Sequence, residues 1–232
     1  MTSSSATISK QPDLPSGVWR ASEQDSANVR TSCTGYDPLN EWLPGAGWPL
    51  GNLIEILTDA PGSGELGLIA PALVQLPTKR PIVLLNPPGV PNTASWQQWQ
   101  IASERLWWLA PKTLSDSWWS AETVLRSQAF AALLAWIDPI DDHALRRLHS
   151  CAQSSQTLVF VFRPQTAAQH FSPCPLRLLL KPDPDGALSV TLLKSKGRKP
   201  AIPIVLALRS TRHISSGEAL RVDGYRALAL AR

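Results

Sequence analysis

The chain has 232 residues, 44% of them hydrophobic and 17% charged, the balance of a protein that builds one sizeable core. Wholesale disorder, collagen and coiled coil are excluded. No run of eighteen apolar residues occurs, so no membrane span is expected. Met1 to Pro12 is polar and Ser-rich without an apolar centre, so no secretory signal is expected. Three cysteines, Cys33, Cys151 and Cys174, lie far apart. Such scattered thiols suit a reducing cytoplasm and argue against a disulfide framework or zinc site. Net charge is +4, unevenly spread: residues 1–142 carry 8 Lys+Arg and 14 Asp+Glu, and residues 143–232 carry 14 and 4. A basic C-terminal third is either a footprint for nucleic acid or an acidic protein, or a solvated surface. Ten Trp stand against two Tyr and four Phe, which points to a partner-binding surface or to a Trp-filled core.

Residues 1–30 read as a flexible arm with one sticky element, Val18-Trp19-Arg20-Ala21, a docking candidate through Trp19 and Arg20. Leu39, Trp42 and Leu43 have the spacing of a short amphipathic helix, and the Gly/Pro run 44–51 turns the chain. Leu53 to Leu57 is an apolar strand, Asp59 to Gly64 a glycine loop, and Leu66 to Leu76 a helix. Pro81 to Asn86 is the next strand. Ser95 to Leu106 is expected to be helical, with Trp107 to Leu109 its end or a short strand. Ser117 to Ser127 is a helix bearing Glu122 and Arg126 as a surface pair. Ala131 to Ile137 is a strand, His143 to Ser154 an amphipathic helix, and Thr157 to Phe162 a strand. Unalternating apolar strands are buried on both faces, which predicts a parallel sheet covered by helices. Leu176 to Lys181 and Leu188 to Lys194, across Asp185-Gly186, predict an antiparallel hairpin. The expected fold is therefore α/β, with a core over 31–206 and a basic tail over 207–232.

Strand, glycine loop and helix over Leu53 to Leu76 have the order of a P-loop, whose amides cradle phosphate. Gly62 and Gly64 are present, but Asp59 takes the place of the first glycine. Glu65 stands where the lysine belongs, and Leu66 where a hydroxyl would meet magnesium. Phosphate binding and P-loop ATPase chemistry are therefore not expected, nor any cofactor. Asp138, Asp141 and Asp142 could be a metal cluster, but capping of the following helix explains Asp141 and Asp142. The four histidines show no ligand spacing with the cysteines. Lys194, Lys196, Arg198 and Lys199 form a basic run that suits a protein contact, a solvated face or DNA. Adjacent residues on a helix cannot both face the core, so one Trp of each doublet, Trp107-Trp108 and Trp118-Trp119, is expected near the surface as a contact candidate.

Thr34-Gly35-Tyr36-Asp37-Pro38-Leu39, Leu43-Pro44-Gly45-Ala46-Gly47-Trp48-Pro49-Leu50-Gly51 and Ile54-Glu55-Ile56 resemble the entry to the RecA ATPase core. In the same order, Leu133 to Asp138 resembles its Walker B strand, and Leu145 to Leu148 with Thr157 to Phe162 the elements before its second DNA loop. Arg177 to Leu180 and Val190 to Pro200, with Lys194 and Lys196, resemble its closing strands. Pro87 and Pro88 stand near the catalytic glutamate, Phe162-Arg163 replaces the Asn–Gln switch, and both DNA-loop positions are shortened. Gly64-Glu65-Leu66, Val18 to Ala21 and the basic tail make the chain similar to the ImuA family of SOS mutasome accessory proteins, whose close relative is the division inhibitor SulA. The resemblance implies a non-catalytic cytoplasmic protein whose partners are an ImuB-type polymerase subunit and RecA. FtsZ is the partner in the SulA alternative, with self-association and DNA contact left open.

Overall fold

A computed structural model describes residues 30–139, 141–183, 185–195 and 202–208, and the backbone of 226–227. Short strands β1 (Thr31–Ser32) and β2 (Trp48–Pro49) pair antiparallel on either side of helix α1 (Asp37–Trp42). The main sheet runs β10-β9-β8-β3-β7-β6-β4-β5-β11. Its strands are β3 (Leu53–Thr58), β4 (Ile82–Leu85), β5 (Leu106–Leu109), β6 (Ala132–Trp136), β7 (Leu158–Pro164), β8 (Leu176–Pro182), β9 (Leu188–Lys194), β10 (Ile204–Leu206) and β11 (Arg226–Ala227). All pairings from β8 across to β11 are parallel. The β8–β9 and β9–β10 pairings are antiparallel, so the expected hairpin forms. Two residues of the segment read as a tail, Arg226–Ala227, lie as a strand beside β5.

Every residue of β3 and β4 is buried, which is what their unbroken apolar runs require of strands covered on both faces. Even-numbered β3 residues Ile54 and Ile56 pack with Leu68, Ile69 and Leu73 of helix α2 (Glu65–Gln75), with Leu39 of α1, and with Trp96 of helix α3 (Thr93–Gln98). On the opposite face, Leu53, Val83, Leu133 and Val159 pack with helices α4 (Leu114–Ser127) and α5 (Asp142–Gln153). Pro71 sits inside α2 and lacks the N–H that would bond the Gly67 carbonyl. The Tyr36 hydroxyl donates to that carbonyl instead, at 3.0 Å. The residue that opens α1 thereby repairs a helix on which α1 also packs.

Two readings depart from expectation. The helix read over Ser95 to Leu106 ends at Gln98. Gln100 takes a left-handed conformation (φ 61), its amide donates to the Gln97 carbonyl, and the Ile101 amide donates to the Trp96 carbonyl. That is a Schellman stop, closed by buried Ile101 against buried Trp96. Of the two readings of Trp107 to Leu109, helix end or short strand, the strand forms: both Trp lie in β5, whose pleat sends the two indoles to opposite faces. Glu122 is not a surface residue: it is buried, and it binds Arg147 of α5 as well as Arg126. Among the described residues, no helix is long and apolar enough to cross a membrane.

Candidate functional site

A cavity of about 280 Å³ lies beyond the carboxyl ends of β3, β4 and β6, between the loop leading into α2 and the loop leading into α3. Crevices at this end of parallel strands are where α/β proteins bind ligands. Three indoles line it, those of Trp96, Trp99 and Trp136, with Pro87, Pro88 and Leu66. Trp96 and Trp99 meet edge to face at 5.5 Å, and Trp136 stacks on Phe162 at 4.3 Å. Asn92 caps α3 by accepting the Ala94 amide at 3.0 Å, which fixes the position of Trp96.

The glycine loop forms the other wall. Gly64 caps α2 in the left-handed region (φ 95), so the backbone favours glycine there, while a Cβ would meet only the movable Leu208 Cδ1 at 2.8 Å. Glu65 follows as the first helical residue and is only 3% exposed. Its Oε1 accepts the Gly62 amide at 2.8 Å. Amides at the start of a helix favour an anion, and here the chain supplies that anion itself. The other carboxylate oxygen, Oε2, is buried with no hydrogen-bond partner. Leu66 lines the cavity and offers no side-chain oxygen.

On the opposite face of the sheet, charge is buried outright. Glu55 of β3 is fully buried, and its two oxygens bind Arg163 of β7 at 3.0 Å and Arg177 of β8. Arg163 also reaches Asp138 at 3.3 Å, so two cations face two carboxylates. Arg177 donates further to the carbonyls of Ala167 at 2.7 Å and His170 at 3.1 Å, tying down the connection from β7 to β8. The buried Cys174 thiol lies beside this cluster. Burial, reinforced by the charge of Glu55, pushes it up to about 12. Sequence reasoning passed over this network. Its signal was a single charge inside two apolar runs, Glu55 and Arg177, and one at the end of a third, Arg163.

Among the partner candidates, Trp118 is buried against the α4 face while Trp119 is 51% exposed, the division expected of a helical doublet. Trp107 packs edge to face on Phe130 at 5.3 Å in the same cluster as Trp118, and Trp108 is half-buried. Lys194 is engaged with its own chain: Nζ donates to the Ser172 carbonyl at 2.7 Å and lies 5.7 Å from the Phe171 ring centre. Trp19, Arg20, Lys196, Arg198 and Lys199 lie outside the described residues. Asp141 caps α5, accepting the Ala144 amide at 2.6 Å, and Asp138 serves the arginine network. Among the described residues, no three His, Cys, Asp or Glu side chains gather as a metal site. No protein-family model matches the chain, and no curated protein sequence matches it.

Proposed function

We propose that the chain is a non-catalytic RecA-like accessory protein of SOS-induced translesion synthesis, of the ImuA type, linking RecA to an ImuB-type polymerase subunit. The observation that carries this reading is the Glu65 carboxylate seated on the Gly62 amide, where a phosphate-binding loop would hold its ligand. Read as a degenerate P-loop, this loop repels a triphosphate. Two unit charges about 4 Å apart repel by roughly 4 kcal/mol at an effective dielectric constant near 20. A mainly parallel sheet closed by an antiparallel hairpin, with the glycine loop after β3, supports the RecA-like part of the reading. With the nucleotide role given up, contact surfaces are left to carry function. Exposed Trp119, the Trp19–Arg20 element and the basic run from Lys194 are the proposed contacts.

Deletion of the gene tests the role directly. Damage-induced mutation frequency should fall to the spontaneous level in the deletion strain and return on complementation. Unchanged mutagenesis, together with overexpression that gives filamentous cells still replicating DNA, would overturn the accessory role in favour of the FtsZ-binding inhibitor. Calorimetry with ATP and magnesium should show no saturable heat. Micromolar binding lost on substitution of Gly64 would sink the non-catalytic part.

A further inference from the structure

The cavity beyond β3, β4 and β6 asks for an uncharged ring. Among the described residues its lining holds no lysine or arginine, and its one acidic residue, Glu65, is 3% exposed with Oε1 given to the Gly62 amide. An ion entering it would shed water and meet no counter-charge. Trp96, Trp99 and Trp136 offer instead what another aromatic ring prefers, stacked or edge-to-face contact in addition to burial of area. Ser95 adds a hydroxyl that can accept an N–H, and Val90, 61% exposed, carries the apolar surface out to the rim. At about 280 Å³ the space suits a group the size of one large side chain.

We propose that the occupant is the indole of Trp19, brought back to the cavity by the chain's own N-terminal arm. Residues 1–29 hold one aromatic side chain, Trp19, beside the apolar Val18. The described chain begins at Arg30, whose carbonyl accepts the Leu50 amide, next to the pairing of Ser32 with Trp48. From Trp48 a line of rings leads to the cavity: Phe160 at 5.2 Å, Phe162 a further 6.4 Å and Trp136 a further 4.3 Å. Trp48 and Trp96 belong to one core cluster, so the arm starts on the face of the sheet that carries the cavity's indoles. The eleven residues from Trp19 to Arg30 span up to about 36–40 Å when extended. That is more than twice the length of the line of rings, which leaves chain for β1 and the surface. An arm docked in this way is self-bound, and a partner that takes Trp19 must first draw it out. The docking does not rest on the mutasome reading, and the mutation-frequency and ATP tests above are read separately from it.

The test uses the full chain and the peptide acetyl-Val-Trp-Arg-Ala-amide, which copies residues 18–21. Trp19→Ala empties the cavity, so calorimetry should show saturable binding of the peptide to this variant at a Kd of about 0.1 mM. The tether holds the parent's own indole at an effective concentration of about 1 mM, which fills the cavity about nine-tenths of the time. The parent should therefore bind the peptide about tenfold more weakly than Trp19→Ala does. The same peptide with leucine for tryptophan should bind the variant severalfold more weakly, and so should the tryptophan peptide when Trp99→Leu is added to Trp19→Ala. Thermal melts identify folded variants; should the Trp99→Leu chain not fold, the leucine peptide decides. Sedimentation should give the same molecular mass for parent and Trp19→Ala. A parent dimer that Trp19→Ala dissolves would place the arm in a second copy and overturn docking within one chain. No binding to folded Trp19→Ala, equal affinity in parent and variant, or equal affinity for the leucine peptide overturns the proposal outright.

Discussion

Removing Arg177 from the buried cluster is the most demanding perturbation the fold offers. In Arg177→Met the side-chain volume is roughly kept, so the effect is electrostatic. Glu55 loses one of its two cationic partners at a site with no exposure, and the carbonyls of Ala167 and His170 lose their donors. Breaking a buried pair by deleting one partner costs about 3–5 kcal/mol. Arg163 remains on Glu55 and limits the loss, while the two orphaned carbonyls raise it, so about 4 kcal/mol is expected. For a chain of this size each kcal/mol moves the unfolding midpoint by about 2–4 °C, so the midpoint should fall by about 8–16 °C. The double variant Glu55→Leu/Arg177→Met removes the stranded charge and leaves Arg163 with Asp138, whose side chain is 39% exposed and remains solvated. It should therefore be more stable than Arg177→Met alone, by about 2 kcal/mol. Urea denaturation with a common slope gives both numbers. A loss below about 1 kcal/mol for Arg177→Met, or a double variant less stable than the single, refutes the view that Glu55 is held as a dry charge.

Three further outcomes follow from local geometry. Tyr36→Phe should cost about 1–3 kcal/mol by orphaning the Gly67 carbonyl, and Pro71→Ala, which restores an N–H within the helix, should recover part of it in the double variant by chemical denaturation. Gly35→Ala should destabilise by more than the roughly 1 kcal/mol of a strained backbone, because φ is 84 and the new Cβ would lie 2.3 Å from Pro71 Cβ; thermal melting checks this. Buried Cys174 should resist a thiol reagent at pH 8 while exposed Cys33 reacts. Since the folded thiol ionises near 12 and the unfolded one near 9, its contribution to stability is complete below pH 9 and is lost as pH rises towards 12. Between those values the parent should lose up to about 1.4 kcal/mol per pH unit relative to Cys174→Ala. Equal slopes in the two proteins would remove Glu55 and burial as the cause.

The sheet was legible because its strands announce themselves. Leu53 to Leu57, Pro81 to Asn86 and Thr157 to Phe162 are too apolar and too short for anything but strands buried on both faces. The antiparallel hairpin followed from Asp185-Gly186, and Gly186 does adopt the positive φ that such a turn requires. What was not legible turns on residues that act against type. Gln100 ends α3 in a conformation usually left to glycine, so the helix seemed to run on to Leu106 and left Trp107-Trp108 open between helix end and strand. Glu122 looked like a surface pairing on its own helix because Arg147, its stronger partner, is 25 residues away. Glu55, Arg163 and Arg177 looked like interruptions of apolar runs. Only the register that sets Glu55 opposite Arg177, and Leu57 opposite Arg163, shows that the interruptions neutralise one another.

Against the P-loop pattern Glu65 is a departure, and locally it gives the loop an internal anion on the Gly62 amide. A helix start with free amides and a left-handed glycine before it is an anion site whether or not phosphate is present. Substituting the lysine by alanine would leave that site open to stray anions. Glutamate there closes it from within, through Gly62, and keeps its second oxygen buried without a hydrogen-bond partner. On the proposed reading this carboxylate repels a nucleotide, which substitution at Glu65 tests. Glu65→Gln should leave ATP unbound, since the lysine and hydroxyl of the P-loop pattern are still missing. Glu65→Lys should still fail to support hydrolysis, because Leu66 cannot supply the oxygen that magnesium needs. An ATPase recovered by Glu65→Lys alone would show that the loop had kept its catalytic design and lost only one charge.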